Sequence, residues 1–92
     1  MEATFIKNID GLGVKRLYRL DPPLQGHELV VVSGVSGGFT TETYIFPGDE
    51  EGKITSFGEL PGSFQGGIDP EEAIRNAGYT IKEVQGAAAR ND

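Results

Sequence analysis

Glycine residues divide this chain so often that most of it can form only short extended segments joined by turns. There are 14 glycines in 92 residues, and each one that lies inside regular structure adds an entropic cost to folding. The stretches between them are rich in β-branched, aromatic or alternating apolar residues, a pattern typical of strands. The predicted strands are residues 3–9, 14–20, 28–35, 40–46, 53–57 and 79–84.

The apolar pattern of each segment also predicts its place in the sheet. Residues 28–35 are apolar on both faces, which indicates the central strand. Residues 14–20 have mixed faces, typical of a strand near an edge. Pro22 and Pro23 should end this strand, because neither can donate a ladder hydrogen bond. We expect the glycine-rich residues 58–69 to cross the surface as a loop.

The stretch SGVSGGFTTET, residues 33–43, has the composition of either a phosphate-binding loop or a turn between strands. A phosphate loop directs backbone N–H groups at the anion and is usually followed by a helix and a lysine. Here the glycines precede a threonine-rich strand, and no lysine follows until Lys53. The stretch therefore predicts a hairpin, with Gly37 and Gly38 in its tight turn.

One segment, DPEEAIRNAG, carries the signals of a helix. Asp69 can cap the N-terminus, and Pro70 suits the first helical position, where its missing N–H costs nothing. Glu71 and Glu72 fall in the first turn, where the helix dipole favours anions. Gly78 is placed for a left-handed C-terminal cap.

Together these segments predict an α+β fold in a single small domain. Residues 1–84 form the domain, as an antiparallel sheet of 4–6 strands with one short helix, about residues 70–77, packed on it through Ile74. Residues 85–92 have no core-forming pattern and are expected to form a mobile tail. The expected core members in the strands are Phe5, Tyr18, Val30, Val32, Tyr44 and Phe46.

The charge is negative and unevenly distributed. The net charge is −6, and residues 41–72 hold eight acids against Lys53 as the one base. Direct nucleic-acid binding is disfavoured, because it needs a basic surface to neutralise phosphates. The longest uninterrupted apolar stretch is residues 29–32, and the start of the chain lacks a signal-peptide pattern. We therefore expect a cytoplasmic protein that does not contact membranes.

The residues available for catalysis are few, so we predict that the chain is not an enzyme and holds no cofactor. It has no cysteine and one histidine, His27, which disfavours a transition-metal site or a cysteine nucleophile. No spacing of serines and carboxylates around His27 indicates a nucleophilic triad. The acidic turn at residues 49–51 lacks the ligand spacing of a calcium loop.

Two kinds of residue are candidates for binding a partner protein. Apolar side chains in the predicted loop could serve as exposed anchors, because apolar anchors with polar rims carry most binding energy. Charged groups on the second strand and in the acidic turn could complement a partner's charge. The candidates are Leu60, Phe64, Phe57, Lys15, Arg19, Asp49, Glu50 and Glu51.

Three segments, RLYRLDPPL, ETYIFPGDEEGKITSFGELPGSFQGG and EEAIRNAGYTI, resemble in their order a group of small accessory proteins of actinobacteria and their phages. The resemblance covers most of residues 4–81. It implies no catalytic residues, because the group has no assigned activity. It does imply a non-structural phage protein, a class that often acts by binding host factors.

The leading functional hypothesis is a small interaction module that binds and modulates a host or phage protein. The alternative is a binder of a small, nucleotide-like ligand, or a sequestering protein, that acts as a homo-oligomer. A third hypothesis, an acidic decoy of nucleic acid, needs regularly spaced carboxylates on one face. A concave pocket with converging polar groups would favour the second hypothesis over the first.

Overall fold

Six strands form one sheet, and one helix packs against it, in a computed structural model that describes residues 1–11, 13–37 and 40–82. The strand order across the sheet is β5-β4-β3-β2-β1-β6. The elements are β1 (Glu2–Asn8), β2 (Val14–Leu24), β3 (His27–Gly37), β4 (Thr40–Pro47), β5 (Phe64–Gln65), α1 (Pro70–Asn76) and β6 (Thr80–Lys82). The predicted α+β class is confirmed.

Pairing within the sheet is antiparallel except at one edge, where β6 runs parallel to β1. β5 and β6 lie at opposite edges, so the chain between them crosses the sheet. The helix α1 makes this crossing and contacts β3, β4 and β6. No helix in residues 1–11, 13–37 and 40–82 is long and apolar enough to cross a membrane.

The helix begins and ends as its sequence predicts. The Asp69 carboxylate accepts a hydrogen bond from the backbone N–H of Glu72 at 3.1 Å, and Pro70 is the first helical residue. Gly78 has a φ of +100°, the left-handed conformation expected after the helix end. The helix covers residues 70–76, close to the predicted 70–77.

The positions of β2 and β3 in the sheet correct one prediction and confirm another. β3 is interior, as expected for the strand that is apolar on both faces. β2 is interior too, between β1 and β3, so its predicted edge position is wrong. It also continues to Leu24, through Pro22 and Pro23. This is compatible with proline because the β2–β3 register is interrupted between Arg19 and Leu24.

Further along the chain, two predictions fail where pairing depends on distant contacts. Residues 53–57 form no strand and contribute a single bridge, between Gly48 and Ile54. The predicted loop 58–69 contains β5. Pairing of Gly37 with Thr40 confirms the hairpin between β3 and β4, whereas the conformation of Gly38 lies outside the described residues. Residues 83–84 of the last predicted strand and the predicted mobile tail, 85–92, also lie outside them.

The two faces of the sheet are covered differently. The helix face, which packs against α1, holds the main core. Its buried members are Ala3, Tyr18, Leu20, Val30, Val32, Ile45, Leu60, Ala73, Ile74 and Tyr79, with Phe5 partly buried beside them. Phe46 is buried as expected and Tyr44 is only half-buried, and both lie on the opposite face of the sheet. The reason is strand alternation, since their neighbour Ile45 pairs with Val32 on the helix face.

The face of the sheet that points away from the helix is covered by residues 48–57, which we call the crossing segment. At Gly48 an added Cβ would lie 2.6 Å from Cγ2 of Val31, and at Gly52 it would lie 2.9 Å from Cδ1 of Ile9. Leu17 and Val31 beneath this segment are fully buried. The close backbone approach therefore requires glycine at both positions, and it closes a second, smaller apolar layer.

Candidate binding surface

Three aromatic residues form a continuous row on the opposite face, and we call Tyr44, Phe46 and Phe57 the aromatic row. The rings of Tyr44 and Phe46 stack with centroids 5.5 Å apart. Those of Phe46 and Phe57 meet edge to face at 5.4 Å. Phe46 is 9% exposed and Phe57 is 75% exposed. The row thus runs from the half-buried Tyr44 over the nearly buried Phe46 to the exposed ring of Phe57.

Local backbone contacts place the exposed ring. Tyr44 and Phe46 are two residues apart on β4, so they share a face. The crossing segment returns to β4 through the Gly48–Ile54 bridge and through the N–H of Thr55, which donates to the carbonyl of Pro47 at 2.9 Å. These bonds bring Phe57 back over the end of β4, where it meets Phe46.

The acidic turn at the start of the crossing segment is held by its own backbone. The Asp49 carboxylate accepts hydrogen bonds from the N–H groups of Lys53 and Glu51, each at 2.9 Å. These bonds, that of Lys53 first, hold the pKa of Asp49 below its usual value. The Asp49 carboxylate therefore stabilises the turn. Glu50 is exposed, and Glu51 forms an ion pair with Lys53 at 3.8 Å.

Two carboxylates lie near the Tyr44 end of the row. The hydroxyl of Tyr44 donates a hydrogen bond to Glu42, and Nε2 of Gln65 donates to the other oxygen of Glu42 at 3.2 Å. The hydrogen bond to Glu42 is the main cause that raises the pKa of Tyr44 to about 12. Partial burial and the negative charges of Glu42 and Glu59 add to it. The phenol of Tyr44 therefore lies in a negative potential.

A shallow depression of about 360 Å³ lies beside Tyr44, between β4, β5 and the chain that leads into β5. It is lined by Tyr44, Glu59, Ser63, Phe64 and Gln65. The Ser63 hydroxyl holds the chain before β5 against β4. It accepts a hydrogen bond from the N–H of Ile45 at 2.9 Å and donates one to the carbonyl of Leu60 at 3.0 Å. The depression therefore has a rigid side made by β4 and an open side towards solvent.

The three predicted apolar anchors differ in exposure. Phe57 is exposed, as expected, and Phe64 is half-buried against the helix-face core while it lines the depression. Leu60 is 6% exposed and belongs to the core, so the expectation that it is exposed is wrong. Its N–H donates to the carbonyl of Ile45 at 2.8 Å, which draws Leu60 against the sheet.

The predicted basic candidates lie on the same face as the aromatic row, but at a distance from it. Lys15 pairs with Ser33, which pairs in turn with Tyr44, so β3 separates the two side chains. Arg19 forms an exposed ion pair with Glu28 at 3.6 Å. The structure thus brings Phe57 to the surface beside Phe46, whereas Phe64 pairs with Thr43 and packs against the helix-face core. Lys15 and Arg19 lie outside the surface around Tyr44.

Six residues of the aromatic row and the depression were not among the predicted binding residues: Glu42, Tyr44, Phe46, Glu59, Ser63 and Gln65. The alternation of residues 40–46 did group Glu42, Tyr44 and Phe46 on one face. That pattern did not indicate that this face is the one opposite the helix. Glu59 had no signal in the sequence, because its place near Tyr44 results from the folding back of the chain.

The chemical groups on this surface are aromatic rings and carboxylates. It presents rings for apolar or cationic groups and carboxylates for positive charge. Within the part of the chain that the structure describes, no group of three or more His, Cys, Asp or Glu residues could hold a metal ion. Comparison with known proteins gives no match to a family model, a curated protein or a solved structure.

Proposed function

We propose that this chain is a non-enzymatic interaction module that binds a host or phage protein through the aromatic row and its neighbouring carboxylates. The observation that carries the proposal is the exposure of Phe57, 75%, on top of the nearly buried Phe46. Exposing a phenylalanine forfeits about 2 kcal/mol of burial free energy. A partner that covers this ring recovers it, and aromatic residues are frequent among binding hot spots.

The charge of the surface indicates what kind of partner it suits. Glu42 and Glu59 form no ion pair with any residue of 1–11, 13–37 and 40–82. The whole chain carries a net charge of −6. A basic protein surface would be attracted to this side and would associate faster at low salt. We therefore propose a basic partner in the cytoplasm of a bacterial host, in keeping with the resemblance to phage and actinobacterial accessory proteins.

A small-ligand binder is the second candidate, and the depression beside Tyr44 favours it. Its volume of about 360 Å³ is near the lower end of the range for ligand sites, about 300–1,000 Å³. A nucleotide is anionic, however, and would meet the carboxylate of Glu59 in the lining. The depression thus suits a cationic group better than a phosphate.

Affinity capture from an actinobacterial lysate tests the proposed function with two matched variants. Phe57→Ala removes the exposed ring, and Val14→Ala shortens a 38% exposed side chain on the helix face. We expect the wild type and Val14→Ala to retain the same protein at stoichiometric level, more at low salt than at high salt, and Phe57→Ala to lose it. Equal retention by Phe57→Ala would refute the aromatic row as the binding surface.

A further inference from the structure

We propose that the depression beside Tyr44 is a receptor site for one arginine side chain of the partner protein. This inference rests on the proposed function and names the chemistry of its contact. The aromatic residue Tyr44 lines the depression together with Glu59 and Gln65. A guanidinium group is attracted both to aromatic faces and to carboxylates.

The first argument is the distribution of ion pairs. The pairs formed by described residues are Arg16–Glu71, Arg19–Glu28, Lys53–Glu51 and Arg75–Glu71. Glu42 and Glu59 take part in none of them, although both carboxylates lie near the hydroxyl of Tyr44. The negative charges of both carboxylates are the lesser causes that raise the pKa of Tyr44, after its hydrogen bond to Glu42 and its partial burial. A positive group brought by a partner would find two carboxylates with no counter-ion in the described chain.

The second argument is a comparison with the helix face of this same molecule. There the guanidinium of Arg16 lies 5.6 Å from the centroid of the Phe5 ring and 3.9 Å from the carboxylate of Glu71. That face combines an aromatic ring, a carboxylate and an arginine. The depression offers the aromatic residue Tyr44 and Glu59 without the arginine, so a partner's guanidinium would complete the same combination.

The third argument concerns hydrogen-bond acceptors and size. A guanidinium carries five N–H donors in a plane, whereas an ammonium carries three on one nitrogen. Around the depression the acceptors are the Glu59 carboxylate and the amide oxygen of Gln65, whose Nε2 is already directed at Glu42. Several separated acceptors around one open site suit a planar group with many donors. The volume of about 360 Å³ holds one such side chain.

A titration with small model compounds tests this inference without the partner. The full-length protein, with isotope-labelled backbone amides, is titrated by NMR with N-acetyl-arginine amide. Parallel titrations use N-acetyl-citrulline amide, its neutral isostere, and N-acetyl-lysine amide. We expect saturable shifts at the amides of Ser63 and Gln65 with the arginine compound. Binding of the citrulline compound should be roughly tenfold weaker or undetectable, because it lacks the charge.

Variants then test whether the residues that line the depression are responsible for the NMR shifts. Glu59→Gln should weaken arginine-amide binding by roughly threefold, and Tyr44→Leu should abolish it. Glu72→Gln, which removes an exposed carboxylate from the helix, should leave it unchanged. The amide spectra of the variants report at the same time that they are folded. Unaltered binding by Glu59→Gln would place the ligand elsewhere and overturn the inference.

The outcomes separate this inference from the proposed function. Equal binding of the arginine and citrulline compounds overturns the arginine site, and equal binding of the lysine compound overturns its preference for a guanidinium. Either result can coexist with loss of capture by Phe57→Ala, which would still support the interaction module. Conversely, arginine-specific shifts together with full capture by Phe57→Ala would support the site and refute the role given to the aromatic row.

Discussion

The ring of Phe57 rests edge to face against the ring of Phe46, with centroids 5.4 Å apart. Phe46 is nearly buried on β4, on the same face as Val31, with which it pairs across strands. The exposed ring therefore has a fixed support even though most of its surface faces solvent. Support of this kind reduces the conformational entropy that a partner must remove when it binds the side chain.

The two candidate anchors Phe57 and Leu60 should respond very differently to truncation. Leu60→Ala removes a core side chain and should lower the free energy of unfolding by about 2–4 kcal/mol. Phe57→Ala removes an exposed ring and should lower it by under about 1 kcal/mol, most of it from the contact with Phe46. Urea denaturation measures both values. Similar losses for the two variants would contradict the assigned burial.

Thr43 should be required for the attachment of the β5 region to β4. Its buried hydroxyl donates to the carbonyl of Gly67 at 2.8 Å and accepts from the N–H of Asp69 at 3.1 Å. Thr43→Val keeps the shape but leaves both backbone groups without this partner, which should cost roughly 1–3 kcal/mol.

Thr43→Ser retains the hydroxyl and serves as the control, since it loses only a methyl group. Thermal unfolding followed by circular dichroism compares the two variants. We expect a clearly lower midpoint for Thr43→Val than for Thr43→Ser. The reverse order would show that packing of the methyl group matters more than the two hydrogen bonds.

The Tyr44–Glu42 hydrogen bond should make stability depend on pH in the alkaline range. The pKa of Tyr44 is raised from 10.0 to about 12, so the stabilisation is complete below pH 10 and is lost as the pH rises towards 12. Glu42→Gln should move the pKa of Tyr44 back towards 10.0, while Glu72→Gln should not change it. NMR of isotope-labelled tyrosine rings over an alkaline titration resolves Tyr44 from the other tyrosines.

Gly62 should tolerate no side chain, because the chain there touches the helix. Its φ is +109°, and an added Cβ would lie 2.5 Å from the carbonyl oxygen of Ala73. Gly66 has a φ of +99° and nothing within 4 Å of its Cβ position. Both alanine variants incur the backbone strain of a positive φ, about 1–2 kcal/mol.

Gly62→Ala adds a steric clash to that strain and should be destabilised by about 1–3 kcal/mol more than Gly66→Ala. Chemical denaturation of the two variants isolates the steric part, since the strain is common to both. Equal destabilisation would mean that residues 58–63 lie farther from the helix than the structure shows.

Local signals predicted the elements that depend on neighbouring residues. The capping residue Asp69, the prolyl first turn and Gly78 fixed the ends of α1, because each acts within a few residues of the helix. Apolar residues on both faces of residues 28–35 likewise predicted the interior position of β3. These features can be predicted without knowing where the rest of the chain packs.

Features that depend on distant pairing were not predictable in the same way. Leu60 was expected in solvent because it lies in a segment rich in glycine, yet its N–H donates to the carbonyl of Ile45 and its side chain enters the core. The expectation that β2 lies near an edge failed because β2 pairs with both β1 and β3, and β6, which follows the helix, adds a further strand beyond β1. For the binding surface, the exposure of Phe57 was predicted, but its contact with Phe46 was not.

Hydrogen–deuterium exchange of the protein, alone and in complex with the captured partner, tests the central claim most directly. If the partner covers the aromatic row and the depression, exchange should slow in peptides that span residues 42–46 and 55–65. Peptides from α1 should change little, because the helix lies on the other face of the sheet. Protection confined to α1 and β6, with residues 42–46 and 55–65 unchanged, would contradict the claim that this protein binds through Tyr44, Phe46 and Phe57.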